Sequence, residues 1–357
     1  MAEASQKVAL ISHSLGEGGA ERFAAKLSLM LDSGGYEVHV IIIEDRIDFA
    51  FGGRLLNLGA LCTKMNPLQR KIQKGVLLNR YLNSNAIDTI IDNRARNVFV
   101  RDFIATRIYG NRKIFNMVHS YNIQSYLPKS EFLANLLYQK STLICVAKTI
   151  EAEIKKYYPK LNSTTIYNAA DFADVSTEVS TSNYILFFGR FDDKVKNLSL
   201  LLKAYRKSEI YRNGLKLHLM GDGPDKALLV SLIADLNLDK HVHILPFQND
   251  PRPYVKNARF TVLTSRFEGF PMSIIESLAL GTPVVSVDCK SGPAELIINR
   301  ENGLLIENHN IDALASALSE FAENNELYHI CKSNAKNSIT HLAIEKISAQ
   351  WNQLLNN

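Results

Sequence analysis

Short apolar runs and amphipathic stretches alternate along most of this chain. Residues 7–14 are apolar until a polar end, the pattern of a strand buried in a parallel sheet. A glycine-bearing turn, Leu15 to Arg22, leads into a stretch with Phe23, Leu27, Met30 and Leu31 at helical spacing. Residues 36–43 supply a second strand, so the chain opens as a βαβ unit. Further strands are expected at 86–91, 113–118 and 142–146, a helix at 148–158, and a short strand from Thr164 toward Asp171. Residues 171–183, rich in Ser, Thr and Asp, read as an interdomain linker.

Beyond that linker the alternation restarts at residues 184–190. A helix through Leu198, Leu201, Leu202 and Tyr205 follows, then a strand at 215–220, the turn Gly221-Asp222-Gly223-Pro224 and a helix at 225–237. Strands at 242–245, 259–264, 283–287 and 303–306 complete a second doubly wound sheet. The tail reads as helix from 311 to 321 and again to Trp351 and Leu354. At 357 residues the chain exceeds one small core, and two α/β domains are expected.

Composition adds little: 46% hydrophobic and 22% charged residues are ordinary for a globular protein. Cys62, Cys145, Cys289 and Cys331 lie far apart, which predicts neither a metal cluster nor a disulfide framework and suits a reducing compartment. Residues 1–6 carry no secretory pattern, and no apolar run approaches the ~20 residues of a membrane span, so a soluble protein is expected. The net charge of +5 is uneven: between 64 and 113 eleven Lys and Arg are opposed only by Asp88, Asp92 and Asp102. That bias suits an anionic membrane or a phosphate-bearing acceptor, or equally a solvated helix face; no nucleic-acid motif accompanies it.

Candidate chemistry concentrates in Ser265-Arg266-Phe267-Glu268-Gly269-Phe270-Pro271-Met272-Ser273-Ile274-Ile275-Glu276. The stretch reads as a loop with a permissive glycine at Gly269, then a helix with Pro271 in its first turn, running to Leu280 and stopping at Gly281-Thr282-Pro283. A helix start offers unpaired N–H groups and positive partial charge to a diphosphate. Glu268 and Glu276 would flank it, at most roughly 12 Å apart along a helix, and carboxylates accept hydrogen bonds from hydroxyls. Hydroxyl-rich groups on either side of a diphosphate describe a nucleotide-sugar, although an isolated pair of glutamates more commonly means two solvated side chains. Arg190 and Lys196 share one strand-to-helix loop and suit a departing diphosphate, or merely balance Asp192 and Asp193. Gly18 and Gly19 sit where backbone can approach a phosphate, and His119 ends a predicted strand, where ligands of open parallel sheets bind. Such a histidine is more often a hydrogen-bond partner than a catalyst; His13 and His39 read as structural.

In combination these motifs resemble the retaining glycosyltransferases of family 4, which have the GT-B fold. The resemblance runs over nearly the whole chain: Gly18-Gly19-Ala20-Glu21-Arg22, Asn168-Ala169-Ala170-Asp171, Gly189-Arg190 with Lys196, Gly221-Asp222-Gly223-Pro224, the block 268–285, Gly292-Pro293-Ala294-Glu295-Leu296 and Asn302-Gly303-Leu304-Leu305. It implies two Rossmann-like domains facing each other across a cleft: an acceptor-side domain at 1–168, a donor domain at 169–335, and a terminal helix at 336–357 packing back on the first. It further implies that Glu268 bonds donor-sugar hydroxyls and Glu276 the ribose. Backbone amides from Gly269 and Phe270 through Pro271, Met272 and Ser273 would bind the diphosphate, with Arg190 and Lys196 neutralising the leaving group. His119 would line the sugar, Gly18 and Gly19 would close on the phosphate, and Gly221 with Leu245 to Phe247 would border the nucleotide.

The mechanism implied is front-face retention with no settled protein nucleophile, so the two-carboxylate scheme of glycosidases need not apply. No Asp-X-Asp motif is present, in keeping with a metal-independent enzyme without a cofactor. The expected activity is transfer of a hexose from a nucleoside diphosphate, UDP in preference to GDP, to a growing glycan or lipid-linked glycan in bacterial surface-polysaccharide synthesis. The expected location is the cytoplasm, with peripheral contact to an anionic membrane. A nucleotide-sugar 2-epimerase on this fold would need a base set for C2, and no such cluster is legible. A non-catalytic nucleotide-sugar-binding scaffold would have no use for the pair Arg190 and Lys196.

Overall fold

The computed structural model describes residues 6–16, 18–63, 66–173, 175 and 183–356. The chain divides into two compact units, residues 1–168 with 345–357, and residues 169–344. Most of the expected linker falls at 174 and 176–182, outside the described residues.

In the first unit, β1 (Lys7–Ser12), β2 (Glu37–Ile42), β3 (Arg54–Asn57), β4 (Thr89–Asp92), β5 (Lys113–Val118), β6 (Thr142–Cys145) and β7 (Asn162–Thr165) form one sheet. The order is β3-β2-β1-β4-β5-β6-β7, and every pairing is parallel. The chain moves outward from β1 to β3 and then returns to start β4 on the other side, which puts a topological switch point between β1 and β4. The connections hold α1 (Gly19–Ser33), α2 (Leu58–Leu61), α3 (Pro67–Ser84), α4 (Phe99–Tyr109), α5 (Glu131–Tyr138) and α6 (Lys148–Tyr157). Leu78 and Leu82 of α3 and Tyr109 of α4 pack on Ala9, Ile11, Ile41, Ile90 and Ile114 of the sheet.

Two expectations need correction here. β3 was not legible because Arg54-Leu55-Leu56-Asn57 is a short, partly exposed edge strand without a buried apolar run. β7 lies earlier than the strand expected from Thr164 to Asp171, because register with β6 fixes Asn162 to Thr165 despite their polarity.

The second unit is a six-stranded parallel sheet made of β8 (Tyr184–Phe188), β9 (Lys216–Met220), β10 (Val242–Leu245), β11 (Thr261–Leu263), β12 (Val284–Asp288) and β13 (Gly303–Glu307), ordered β10-β9-β8-β11-β12-β13. Its switch point falls between β8 and β11. The helices are α7 (Asp193–Lys196), α8 (Leu198–Ser208), α9 (Lys226–Asp235), α10 (Arg252–Asn257), α11 (Met272–Ala279), α12 (Pro293–Leu296), α13 (Ile311–Glu323) and α14 (Asn325–Ser338). One core joins Phe187, Phe191, Leu201, Tyr205, Phe260, Leu318 and Phe321.

The final helix, α15 (Ile344–Asn356), belongs with the first unit from residue 345 on. Lys113 donates to the carbonyls of Leu354 and Leu355, and Trp351 is fully buried. Residues 336–344, expected with this helix, stay with the second unit, because α14 runs to Ser338 and the turn Thr340–Leu342 separates the two helices. No helix among the described residues is long and apolar enough to cross a membrane.

Candidate active site

Loops leave the carboxyl edge of the second sheet after each of its six parallel strands, and the one after β8 carries Arg190 and Lys196. Gly189 and Gly221 both adopt φ of 151°, and a Cβ on Gly221 would lie 1.9 Å from the Gly189 carbonyl oxygen. The loops after β8 and β9 therefore touch through bare backbone, which no other residue permits. Leu245, last in β10, accepts from the Gly221 amide at 3.1 Å, so the third loop is tied to the second. Phe247 follows it and is 56% exposed.

Arg190 and Lys196 part company. The Arg190 guanidinium is turned to solvent and pairs with Asp192 at 3.1 Å. Lys196 closes the single turn α7, where a plain loop was expected. Asn197 leaves that turn with φ of 52°, and Asp193 caps the start of α8 by accepting from the amide and hydroxyl of Ser199. Two residues of the β11 loop pin the lysine backbone. Thr264 Oγ1 donates to the Lys196 carbonyl at 2.9 Å, and the Arg266 amide to that of Val195 at 2.8 Å. The Arg266 guanidinium also holds Asn197 Oδ1 at 2.8 Å.

The ammonium so placed donates to Glu268 Oε1 at 2.6 Å. Ser265 Oγ donates to the same oxygen at 2.6 Å, which leaves Oε2 with acceptor capacity. Burial first, and then the Glu268 charge, push the Cys289 thiol beside this pair up to about 12. The Glu268 backbone is fixed against Lys290 and Ser291 of the β12 loop. Gly292 there has φ of 99°, and a Cβ on it would meet Pro271 Cδ at 2.5 Å and the Gly269 carbonyl at 2.9 Å. The tightest glycine requirement of this corner thus sits at Gly292.

Pro271 is the N-cap of α11 rather than a residue of its first turn; its carbonyl accepts from Ile274 and Ile275. No side chain caps this end, so the amides of Met272 and Ser273 begin the helix beside Glu268, while Phe270 is buried beneath. Glu276, one turn along, is buried rather than solvated, 8% exposed. Its charge helps to raise the Arg252 guanidinium, whose larger support is a bidentate pair with Asp250 at 2.7 and 2.8 Å. Thr264 and Arg266 hold the Lys196 turn from another loop, a role their place in the sequence does not reveal, whereas Ser265 and Arg252 act on the nearby Glu268 and Asp250.

In the first unit, Gly18 holds φ of 102° as the N-cap of α1, and Gly19 is that helix's first residue. His119 follows β5, and its Nε2 lies 2.6 Å from Asn93 Oδ1. Asn93 follows β4 and donates through Nδ2 to the Ala20 carbonyl at 2.8 Å, which fixes Oδ1 as the acceptor. His119 therefore carries its proton on Nε2 and presents Nδ1 as an acceptor. Its ring stands edge-on to Phe23 at 5.0 Å. Burial, then the Arg96 charge, push its pKa down to about 3, so it is neutral. Asn93 was missed in the sequence, yet it ties the switch point of this sheet together. His39 is structural, bonded to Tyr81 at 2.9 Å and Glu37 at 3.2 Å.

The basic segment is less of a surface than its sequence suggests. Lys74 is buried and donates to the Ile43 carbonyl at 2.6 Å. Arg94 clamps Asp92 through two bonds of 2.9 and 2.8 Å, and Arg96 donates to the carbonyls of Asp92, Arg94 and Met117. Burial alone would raise the Asp92 carboxyl, but Arg94 outweighs it and holds the group well below the carboxylate range. Lys64 lies outside the described residues. A depression lined by Lys207 and residues 307–312 holds none of the candidate residues, and among the described residues no group of His, Cys, Asp and Glu could hold a metal ion.

An acid, a lysine and an uncapped helix start at one switch point of a doubly wound parallel sheet form an arrangement suited to a diphosphate-bearing ligand. Residues 169–338 match the family described as glycosyl transferases group 1. A Campylobacter jejuni protein is 33% identical over 93% of this chain and 94% of its own length. It is named N-acetylgalactosamine-N,N'-diacetylbacillosaminyl-diphospho-undecaprenol 4-alpha-N-acetylgalactosaminyltransferase. This chain belongs to the group 1 glycosyltransferase family. Its fold is that of the GT-B glycosyltransferases: a variant of Staphylococcus aureus TarM, solved with fondaparinux, alpha-GlcNAc-glycerol and UDP, superposes with a TM-score of 0.82 at 16% identity, over 99% of this chain and 100% of that one. Anabaena HepE, solved with UDP and glucose, gives 0.79 at 17% identity over 98% and 99%. The family and fold expected from the motifs hold.

Proposed function

We propose that this glycosyltransferase moves a hexose, or its N-acetylamino form, from a UDP-sugar to a lipid-linked glycan with retention of configuration and without a metal ion. The observation that carries the reading is the Lys196–Glu268 contact of 2.6 Å next to the uncapped start of α11. A lysine ammonium has three donors. One is committed to Glu268, and the others serve the diphosphate that the α11 amides receive. As the sugar–phosphate bond breaks, negative charge grows on the departing UDP, and fixed cations and amides stabilise it most at that moment. Arg190 swings from Asp192 to add a second cation.

In this reading Glu268 Oε2 accepts a sugar hydroxyl, Glu276 accepts from the ribose, and Phe247 and Gly221 border the base. The first unit's own candidates are Gly18 and Gly19 at the start of α1 and His119, whose Nδ1 is a neutral acceptor for a hydroxyl. The C. jejuni relative, by its name, acts on a diphospho-undecaprenol-linked sugar, which supports a lipid-linked acceptor.

The test is release of UDP from a panel of UDP- and GDP-sugars with and without a lipid-linked acceptor. Acceptor-dependent release from a UDP-sugar, undiminished by EDTA and giving an α-linked product from an α-donor, is the expected result. Conversion of donor without acceptor would indicate an epimerase, binding without turnover a scaffold, and loss of activity with EDTA a metal-dependent enzyme.

A further inference from the structure

Helix α4 packs Tyr109 and the partly buried Ile108 inward but leaves most of its large apolar residues outside. Asp102 is buried on its inner side, where the carboxylate accepts from the amides of Asn97 and Val98 at 2.8 and 2.9 Å and so fixes the start of the helix. The outer side carries Phe99, Val100, Phe103 and Ile104, all exposed, with Val100 at 66%. A surface helix of a globular protein does the reverse, burying its apolar stripe. The rings of Phe99 and Phe103 stack at 6.1 Å, and the Arg107 guanidinium lies 4.9 Å from the Phe103 ring, so the outward row ends in a cation.

Both neighbouring helices bury one apolar row, Leu78 and Leu82 in α3 and Ala134, Leu137 and Tyr138 in α5, and expose a second. α3 packs beside α4 and exposes Leu68, Ile72 and Val76, a stripe recurring at every fourth residue, with Leu68 at 70%. α5, on the other side, exposes Phe132 at 74% and Leu136. Exposed apolar rows on three neighbouring helices are the kind of surface that marks an interaction face. Its charge selects the partner. α3 has no acidic residue, the one acid of α4 is the buried Asp102, and against the exposed Glu131 of α5 stand the exposed Lys71, Arg80, Arg107, Lys129 and Lys140. A second copy of the face would set like charge against like. Apolar side chains ringed by Lys and Arg are the makeup of helices that lie in an anionic lipid interface.

The geometry points to the outer faces of α3, α4 and α5 as the surface that docks this enzyme on an anionic bilayer, with Phe99, Val100 and Ile104 entering the headgroup boundary. The inference rests on the lipid-linked acceptor proposed above and names where the membrane would be met.

The full chain is sedimented with vesicles of phosphatidylcholine alone and with phosphatidylglycerol added. Binding is expected to the anionic vesicles, weakening as salt rises. The variant F99S/V100S/I104S should lose about tenfold or more of that partitioning while keeping its affinity for UDP and its transfer to a water-soluble acceptor. Should that variant not fold, K71E/R107E asks the same question through charge alone and should also release the protein. Equal partitioning of variant and parent, absence of binding to anionic vesicles, or a dimer that the variant dissolves would each overturn the inference. Failure of the parent chain to bind UDP would instead sink the donor-site reading and leave the vesicle result standing by itself.

Discussion

Lys196 and Glu268, separated by 72 positions in the chain, meet at 2.6 Å because their loops leave the strands on either side of the one place where the second sheet reverses its order. An acid that touches a sugar and a cation that receives its leaving phosphate would thereby be held as one object.

Removing the cation should show most in turnover. Lys196→Ala is expected to lower kcat about a hundredfold to a thousandfold while changing the Kd for intact donor far less. Lys196→Arg should restore only part, since a planar fork replaces a mobile point charge. Steady-state kinetics with calorimetry on the same protein measures both numbers; equal losses in kcat and affinity would reduce the lysine to a binding group.

The two carboxylates should separate by ligand. Glu276→Ala is expected to weaken binding of free UDP by about tenfold, the size of one hydrogen bond to a charged group. Glu268→Ala should leave UDP affinity nearly unchanged and impair use of the intact donor. Titration calorimetry with UDP and with a UDP-sugar distinguishes the assignments, and the opposite order would exchange them.

Gly221→Ala should cost about 3 kcal/mol, because it strains a φ of 151° and drives a Cβ to 1.9 Å from the Gly189 carbonyl. For a unit of this size that is a fall in Tm of roughly 6–12 °C. Gly214→Ala is the control: its φ is 80°, yet nothing lies within 4 Å of the added atom, so only the backbone strain remains. Thermal unfolding of the two variants should rank them in that order.

Stability should decline as acid is added below neutrality. Burial first pushes His119 down to about 3 and His218 down to about 4, from an ordinary 6.5. Between 6.5 and those values the unfolded chain binds protons that the native one refuses, so unfolding free energy falls with falling pH across that window and is unaffected by these groups above it. His119→Asn should flatten the slope of Tm against pH between 6.5 and about 4. Because the ring is neutral at neutral pH, kcat should show no inflection from it near 6.5.

How much of this was legible before the fold is instructive in its particulars. The strands at 7–12 and 184–188 announce themselves because burial on both faces demands apolar runs, and that at 113–118 does so although Asn116 interrupts it. The edge strand Arg54–Asn57 does not, since one side of it answers to solvent. Glu268, Pro271 and Glu276 could be found because they share one local motif. Their supporting residues could not: Asn93 reaches Ala20 and His119 through pairing of whole strands, and Thr264 and Arg266 hold Lys196 across loops whose proximity only the sheet order creates. Arg94 and Arg96 misled for a related reason, because counting charges reveals nothing about which of them are consumed by buried carbonyls and Asp92.

The last helix closes a circuit whose consequence is practical. Residues 169–344 form an uninterrupted polypeptide, whereas the first unit is assembled from two separate stretches, 1–168 and 345–357. A fragment stopping at 168 would lack Trp351 and leave Lys113 without the carbonyls of Leu354 and Leu355. Removing residues 345–357 should therefore disturb the unit made mainly of residues 1–168. Conversely, supplying residues 345–357 as a separate peptide should rescue that half.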